Sequence, residues 1–97
     1  MFRQGDLLFV KTNEIDENAI EDKSGIIARG EATGHTHMIR PGQRAALLIA
    51  AGVAYINAMR ECAIDHQEHD TVILPPGNWE VKRQREYIPE GWRMVAD

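Results

Sequence analysis

Turn signals cut this chain into short β-rich runs, and that punctuation is what most limits the folds open to it. Leu7, Leu8, Phe9 and Val10 form the first run behind a Gly5-Asp6 turn signal, so Gly5 to Thr12 reads as the first strand. Asn13 to Gly25 is acidic and turn-rich, with Ile15, Ala19 and Ile20 as its apolar anchors, and reads as a solvated connection with at most one helical turn. Ile26-Ile27-Ala28 resumes a strand. Gly30 and Gly34 then punctuate the approach to His35, where a glycine commonly marks a bulge or a close approach. Thr71 to Leu74 is β-branched and is ended by Pro75-Pro76-Gly77, because two prolines remove ladder donors and the glycine permits positive φ. Trp79 to Ile88 alternates as one strand, with Trp79, Val81, Arg83, Arg85 and Tyr87 on one face and Pro89 at its end.

Gln43 to Cys62 admits two readings. Its alanines, leucines and Met59 favour a helix by propensity. The alternative is a hairpin of Ala46 to Ala50 and Val53 to Ala58 around Ala51-Gly52, which places Ala54, Ile56 and Ala58 on one face and Val53, Tyr55 and Asn57 on the other. The hairpin is preferred, since Gly52 costs a helix about 1 kcal/mol and suits a turn. Six or seven strands with turns every 8 to 12 residues or so imply a mainly β fold, a small antiparallel barrel or sandwich, with a short helix as the remaining alternative.

At 97 residues the chain reads as a single β domain, small enough that association into a homo-oligomer is expected to add stability. A net charge of −4 supplies no general attraction to nucleic acid or anionic lipid. No apolar run approaches the roughly 20 residues needed to span a bilayer, and the N-terminus lacks signal-peptide character, so no membrane partner is expected and the cytoplasm is the expected address. Cys62, the single cysteine, excludes an intrachain disulfide and a cysteine-rich zinc module, and reads as a small, partly buried hydrophobe.

The main chemical signal is histidine. All four fall in two close pairs, His35 and His37 in GHTHM, and His66 and His69 in DHQEHD. On a strand, residues i and i+2 share a face, so His35 and His37 can offer two imidazoles to one ion. An i,i+3 pair diverges on a regular strand and converges in a turn, which places His66 and His69 in a turn or bulge. Four imidazoles, or three with an oxygen from Glu31, Glu68, Asp65 or Asp70, suit Zn²⁺, Mn²⁺, Fe²⁺, Ni²⁺ or Cu²⁺, and without thiolates the set does not select among them. An ion with open positions permits hydrolysis. Glu68 or Glu31 is then the nearest general base, and Arg83 and Arg85 beside Tyr87 can clamp a phosphate or carboxylate. The bland reading makes the histidines solvated polar residues and the KRQRE run a charged edge strand that discourages aggregation.

In order, the blocks RQGDLLFVK, GEATGHTHMI and HQEHD through LPPG to QREY resemble an uncharacterised family of small bacterial and phage-associated proteins over nearly the whole chain. The resemblance implies a compact, mainly β domain with His35, His37, His66 and His69 at motif positions and Glu31 and Glu68 beside them. The Ala-rich Ala45 to Ala54 departs from the more polar character expected there. A weaker similarity is to cupins, in which an HxH pair and a later histidine bind a metal. His35 and His37 fit that pair, whereas Pro75-Pro76-Gly77 follows the second histidine pair instead of preceding it. The expected function is a metal-binding β domain with a divalent transition metal, acting as a hydrolase on a phosphodiester or similar anionic substrate. The competing class is a phage- or defence-related protein-interaction module without catalytic activity, so whether the chain is an enzyme stays open at this point.

Overall fold

The computed structural model describes residues 1–30, 34–88 and 91–94, with side chains described up to Gln84. Every regular element among them is a β-strand. The first sheet holds β1 (Phe2–Gln4), β2 (Leu7–Thr12), β3 (Ile20–Glu21), β6 (Ala45–Ala50), β7 (Val53–Ala58) and β10 (Gly77–Arg83), in the order β1-β2-β10-β7-β6-β3. The second holds β4 (Ile26–Arg29), β5 (Thr36–Ile39), β8 (Cys62–Asp65) and β9 (Val72–Leu74), in the order β4-β5-β8-β9. All their pairings are antiparallel. A separate ribbon pairs β11 (Arg85–Ile88) with β12 (Gly91–Met94).

The sandwich alternative matches this arrangement, and no strand pairing among the described residues closes either sheet into a barrel. The core is built from inward positions of both sheets. Leu7, Phe9, Leu47, Ile56, Ala58 and Trp79 of the first meet Ile39, Cys62, Ile64 and Leu74 of the second. Alternation produces this, because period-two side chains present one apolar row per strand. Trp79 packs in the core, donating from its indole N–H to Pro75 O at 3.0 Å and meeting Phe2 in a T-shaped contact at a ring separation of 5.5 Å. Cys62 is buried outright, at 1% exposure, so it behaves as a core hydrophobe.

Ala45 to Ala58 is the hairpin, and the helix reading fails for a local reason. Ala51 (φ 49°) and Gly52 (φ 78°) both adopt left-handed backbone, the conformation of a two-residue turn whose twist matches its strands. Ile56 and Ala58 face the core from β7 while Val53, Tyr55 and Asn57 face away from it, as the alternation requires.

Three expectations need correction. A strand, β1, precedes the one expected from Gly5, so Gly5-Asp6 is the turn of a hairpin. The acidic connection, read as solvated with at most one helical turn, contains the short edge strand β3. Trp79 to Ile88 is two strands: the chain leaves the first sheet at Gln84, whose N–H donates to Asp6 O at 2.7 Å, and re-pairs as β11 with β12. Arg85 and Tyr87 therefore belong to a different ribbon from Arg83, and their side chains lie outside the described residues. No helix among the described residues is long and apolar enough to cross a membrane.

Candidate functional site

The β5–β8 pairing sets Met38 opposite Asp65 and Ile39 opposite Ile64. Continuing that register brings His37 beside His66, so sequence-distant histidines become neighbours. On the other side of β5, the register with β4 slips at a bulge between Ile26 and Ala28, which adds twist next to His37. The His66 ring lies among the other three. Its centroid is 4.4 Å from that of His37, 4.7 Å from His69 and 5.5 Å from His35.

His66 and His69 occupy the bend between β8 and β9, as their spacing requires. The bend is held by the His66 ring itself, whose Nδ1 accepts the backbone N–H of Glu68 at 3.0 Å and of His69 at 3.1 Å. A nitrogen accepting those bonds carries a lone pair and no proton, so the neutral ring bears its hydrogen on Nε2. Thr36 and Gln67 clasp the two segments from outside, with Thr36 N–H donating to Gln67 Oε1 (2.9 Å) and the Gln67 amide donating back to Thr36 Oγ1 (3.1 Å).

Burial grades the cluster from inside to outside. His37 is fully buried, His35, His66 and His69 are half-buried, and Glu68 is exposed, with Oε1 3.5 Å from His35 Nδ1. His69 Nε2 is buried and has no hydrogen-bond partner among the described residues. A shallow cavity of about 230 Å³, lined by Thr36, Met38, Asp65, His66 and Gln67, opens beside His66. At its wall the Arg40 guanidinium grips Asp65 through Nε and Nη2, each at 2.9 Å, and the Thr71 hydroxyl adds a bond of 2.7 Å. The bonds from Arg40 first, then from Thr71, hold the Asp65 carboxyl below the usual carboxylate range, and Arg40 is raised in return.

Two residues that sequence reasoning passed over stand behind the histidines. Gln4, Asp6 and His37 are the buried polar residues among those described, and His37 meets both of the others. His37 Nδ1 meets Gln4 Oε1 at 3.0 Å, and His37 Nε2 stands 3.5 Å from Asp6 Oδ1. Arg83 turns inward to this group, with Nε 2.9 Å from Asp6 Oδ2 and Nη2 donating to Arg29 O at 2.9 Å. Two of its nitrogens are thereby committed to the protein. An aspartate after a glycine looks like any turn aspartate, so only its burial, at 2% exposure, distinguishes Asp6.

The structure thus brings together His35, His37, His66, His69 and Glu68, with Arg83 reaching the group through Asp6. Glu31, expected beside them, lies outside the described residues. Among the described residues, no group of three or more His, Cys, Asp or Glu side chains already stands in a metal-holding arrangement.

No curated protein and no solved structure matches the chain. A family model does match residues 3–84, a span that takes in both sheets and every histidine and ends before the β11–β12 ribbon. The chain therefore belongs to the family DUF8820, a domain of unknown function.

Proposed function

We propose that this protein is a small metal-binding β domain whose two histidine pairs take one divalent transition ion, Zn²⁺, Mn²⁺, Fe²⁺ or Ni²⁺, at a hydrolytic site for a phosphodiester or similar anionic substrate. The observation that carries the reading is the convergence of His35, His37 and His69 on the His66 ring, whose centroid lies 4.4 to 5.5 Å from theirs. Imidazoles sharing a tetrahedral ion have ring centres roughly 5 Å apart, given a metal–nitrogen length of about 2.1 Å. Ligation by His66 then needs its ring to release the backbone N–H groups of Glu68 and His69, while the sheets keep their register. An ion there supplies Lewis-acid polarisation of a phosphoryl oxygen and a nucleophilic water at neutral pH. Glu68, exposed at the rim and 3.5 Å from His35, is placed to take a proton from that water.

Elemental analysis of tag-free protein, with the His35→Ala/His37→Ala double variant alongside, tests the ion. The expected result is near one equivalent of a transition metal in the parent and its loss in the variant. With bis(p-nitrophenyl) phosphate as a chromogenic diester, Glu68→Gln should keep the ion and lose about 10²- to 10⁴-fold in rate. Absence of metal in both chains, with no uptake after dialysis against the four ions, overturns the reading and turns the search to protein partners.

A second reading is favoured by the hydrogen bonds of His66. With Nδ1 taken by two backbone N–H groups, Nε2 is the proton-bearing nitrogen of the neutral ring, which suits a metal-free general acid beside the cavity. Diester hydrolysis that persists in a chelator and disappears in His66→Ala would select it.

A further inference from the structure

The first sheet carries apolar residues on both of its faces, whereas the solvated face of an antiparallel sheet is ordinarily polar. Every position of β6 is apolar, and β2 opens with the run Leu7, Leu8, Phe9 and Val10. Leu7, Phe9 and Leu47 go to the core, so by alternation Leu8, Val10 and Leu48 point away from it, as do Val53 and Tyr55 of β7. All five are half-buried in the single chain. Strand pairing arranges this outward face in rows. Val10, Glu80, Tyr55, Leu48 and Glu21 lie side by side across five strands. The next row on one side is Arg3, Leu8 and Lys82, continued by Val53 and Ala50. On the other side it is Thr12, Asn78, Asn57 and Ala46, where the Asn57 amide donates to Asn78 Oδ1 at 2.7 Å.

This face is complementary to itself. The middle of the six-stranded order falls between β10 and β7. Two copies stacked face to face about a two-fold axis parallel to the strands at that point set β10 over β7, β2 over β6 and β1 over β3, and each row meets its own reverse. Val10 then faces Leu48 of the other copy, and Leu8 faces Ala50, a large side chain against a small one. Glu80 faces Tyr55, whose phenol O–H has the carboxylate as acceptor, and Asn78 faces Asn57. Lys82 Nζ, 4.0 Å from Glu80 Oε2, offsets the charge of that carboxylate within its own chain. The cationic edge at Arg3 comes over the acidic edge at Glu21. An axis across the strands does the opposite, since it lays Glu80 over Glu80, like charge on like.

We infer that the outward face of the first sheet is the interface of a homodimer of this chain, with its two-fold axis parallel to the strands between β7 and β10. Five strand spacings of about 4.8 Å and six residues of about 3.4 Å make a face of roughly 500 Å², so two copies bury about 1,000 Å² before the pleat is counted, the size at which specific interfaces begin. The histidines lie on the second sheet and its loops, so the inference is independent of the metal reading and leaves that site open to solvent in the dimer.

Sedimentation equilibrium of the full chain up to about 100 µM tests the association, and a dimer is expected. Leu48→Glu should raise its dissociation constant at least about thirtyfold, because it buries a carboxylate against Val10 of the other copy. If that variant does not fold, crosslinking decides. In the Val10→Cys/Leu48→Cys double variant a short bismaleimide should join two copies, while Val10→Cys alone should not crosslink, its two thiols lying more than three strand spacings apart. Cys62, at 1% exposure, stays out of reach of the reagent. A monomer at about 100 µM overturns the inference. So does an oligomer that the double variant fails to crosslink, one in which Val10→Cys crosslinks by itself, or one that a folded Leu48→Glu leaves as tight as before.

Discussion

One amide, that of Gln4, bonds Ile64 O, Asp70 O and His37 Nδ1 at once, so its loss takes a partner from each of three polar groups. Gln4→Leu is expected to cost about 2 to 4 kcal/mol, because the two buried bonds, to Ile64 O and His37 Nδ1, each count for about 1 to 3 kcal/mol when lost and water can reach Asp70 O. Urea denaturation checks this, and an unchanged midpoint would mean that water replaces the amide. Asp65 supports a prediction of opposite character. Its folded pKa lies below the unfolded value, so the stability it contributes is present above about pH 4 and is lost as pH falls through the depressed folded value. Arg40→Met should raise the Asp65 pKa, as read by carboxyl ¹³C titration, and should narrow that acid-sensitive window. The histidine pairs were legible in the sequence because i,i+2 and i,i+3 spacings carry geometry. Gln4 and Asp6 were not, because nothing local tells a buried polar residue from an exposed one.

At the scale of elements, the β6–β7 hairpin shows a propensity argument losing to a turn. Helix-forming alanines and leucines fill the segment, yet Ala51 and Gly52 both sit at positive φ and the two arms pair from Ala45–Ala58 to Ala50–Val53. Burial of Leu47, Ile56 and Ala58 against the second sheet outweighs a helix preference of tenths of a kcal/mol per residue. Ala51 accepts a conformation that L-residues disfavour by about 1 to 2 kcal/mol. Ala51→Gly should therefore stabilise the protein by about 0.5 kcal/mol, the strain relieved less the added chain entropy. Gly52→Ala should cost about 1 kcal/mol, purely through the backbone, since no atom lies within 4 Å of an added Cβ. Both are read from urea midpoints, and a destabilised Ala51→Gly would refute the strain argument. The break between β10 and β11 left no such sign. Alternation runs unbroken through Gln84, and the exit of the chain there depends on a bond to Asp6 O about eighty residues away.

At the scale of the molecule, Cys62 sits where the two sheets meet, at 1% exposure, and burial pushes its thiol pKa up. Its alkylation should therefore report opening of the whole sandwich, with a native rate that rises in step with destabilising substitutions such as Gln4→Leu. The sign of its pH dependence follows. A raised folded pKa contributes stability that is complete below the unfolded thiol value near 8.5 and is lost as pH rises through the folded one. Alkylation as fast as that of a free thiol would show local access instead. The sequence by itself determined the mainly β class, many of the strand positions and the two histidine pairs, because these depend on alternation, turn chemistry and spacing within a few residues. Only the tertiary structure decided that the pairs meet, that β1 closes over them through Gln4, and that Arg83 faces a buried Asp6. Those outcomes depend on sheet register and on which side chains lose water, and these are properties of the packed molecule that no stretch of its chain carries alone.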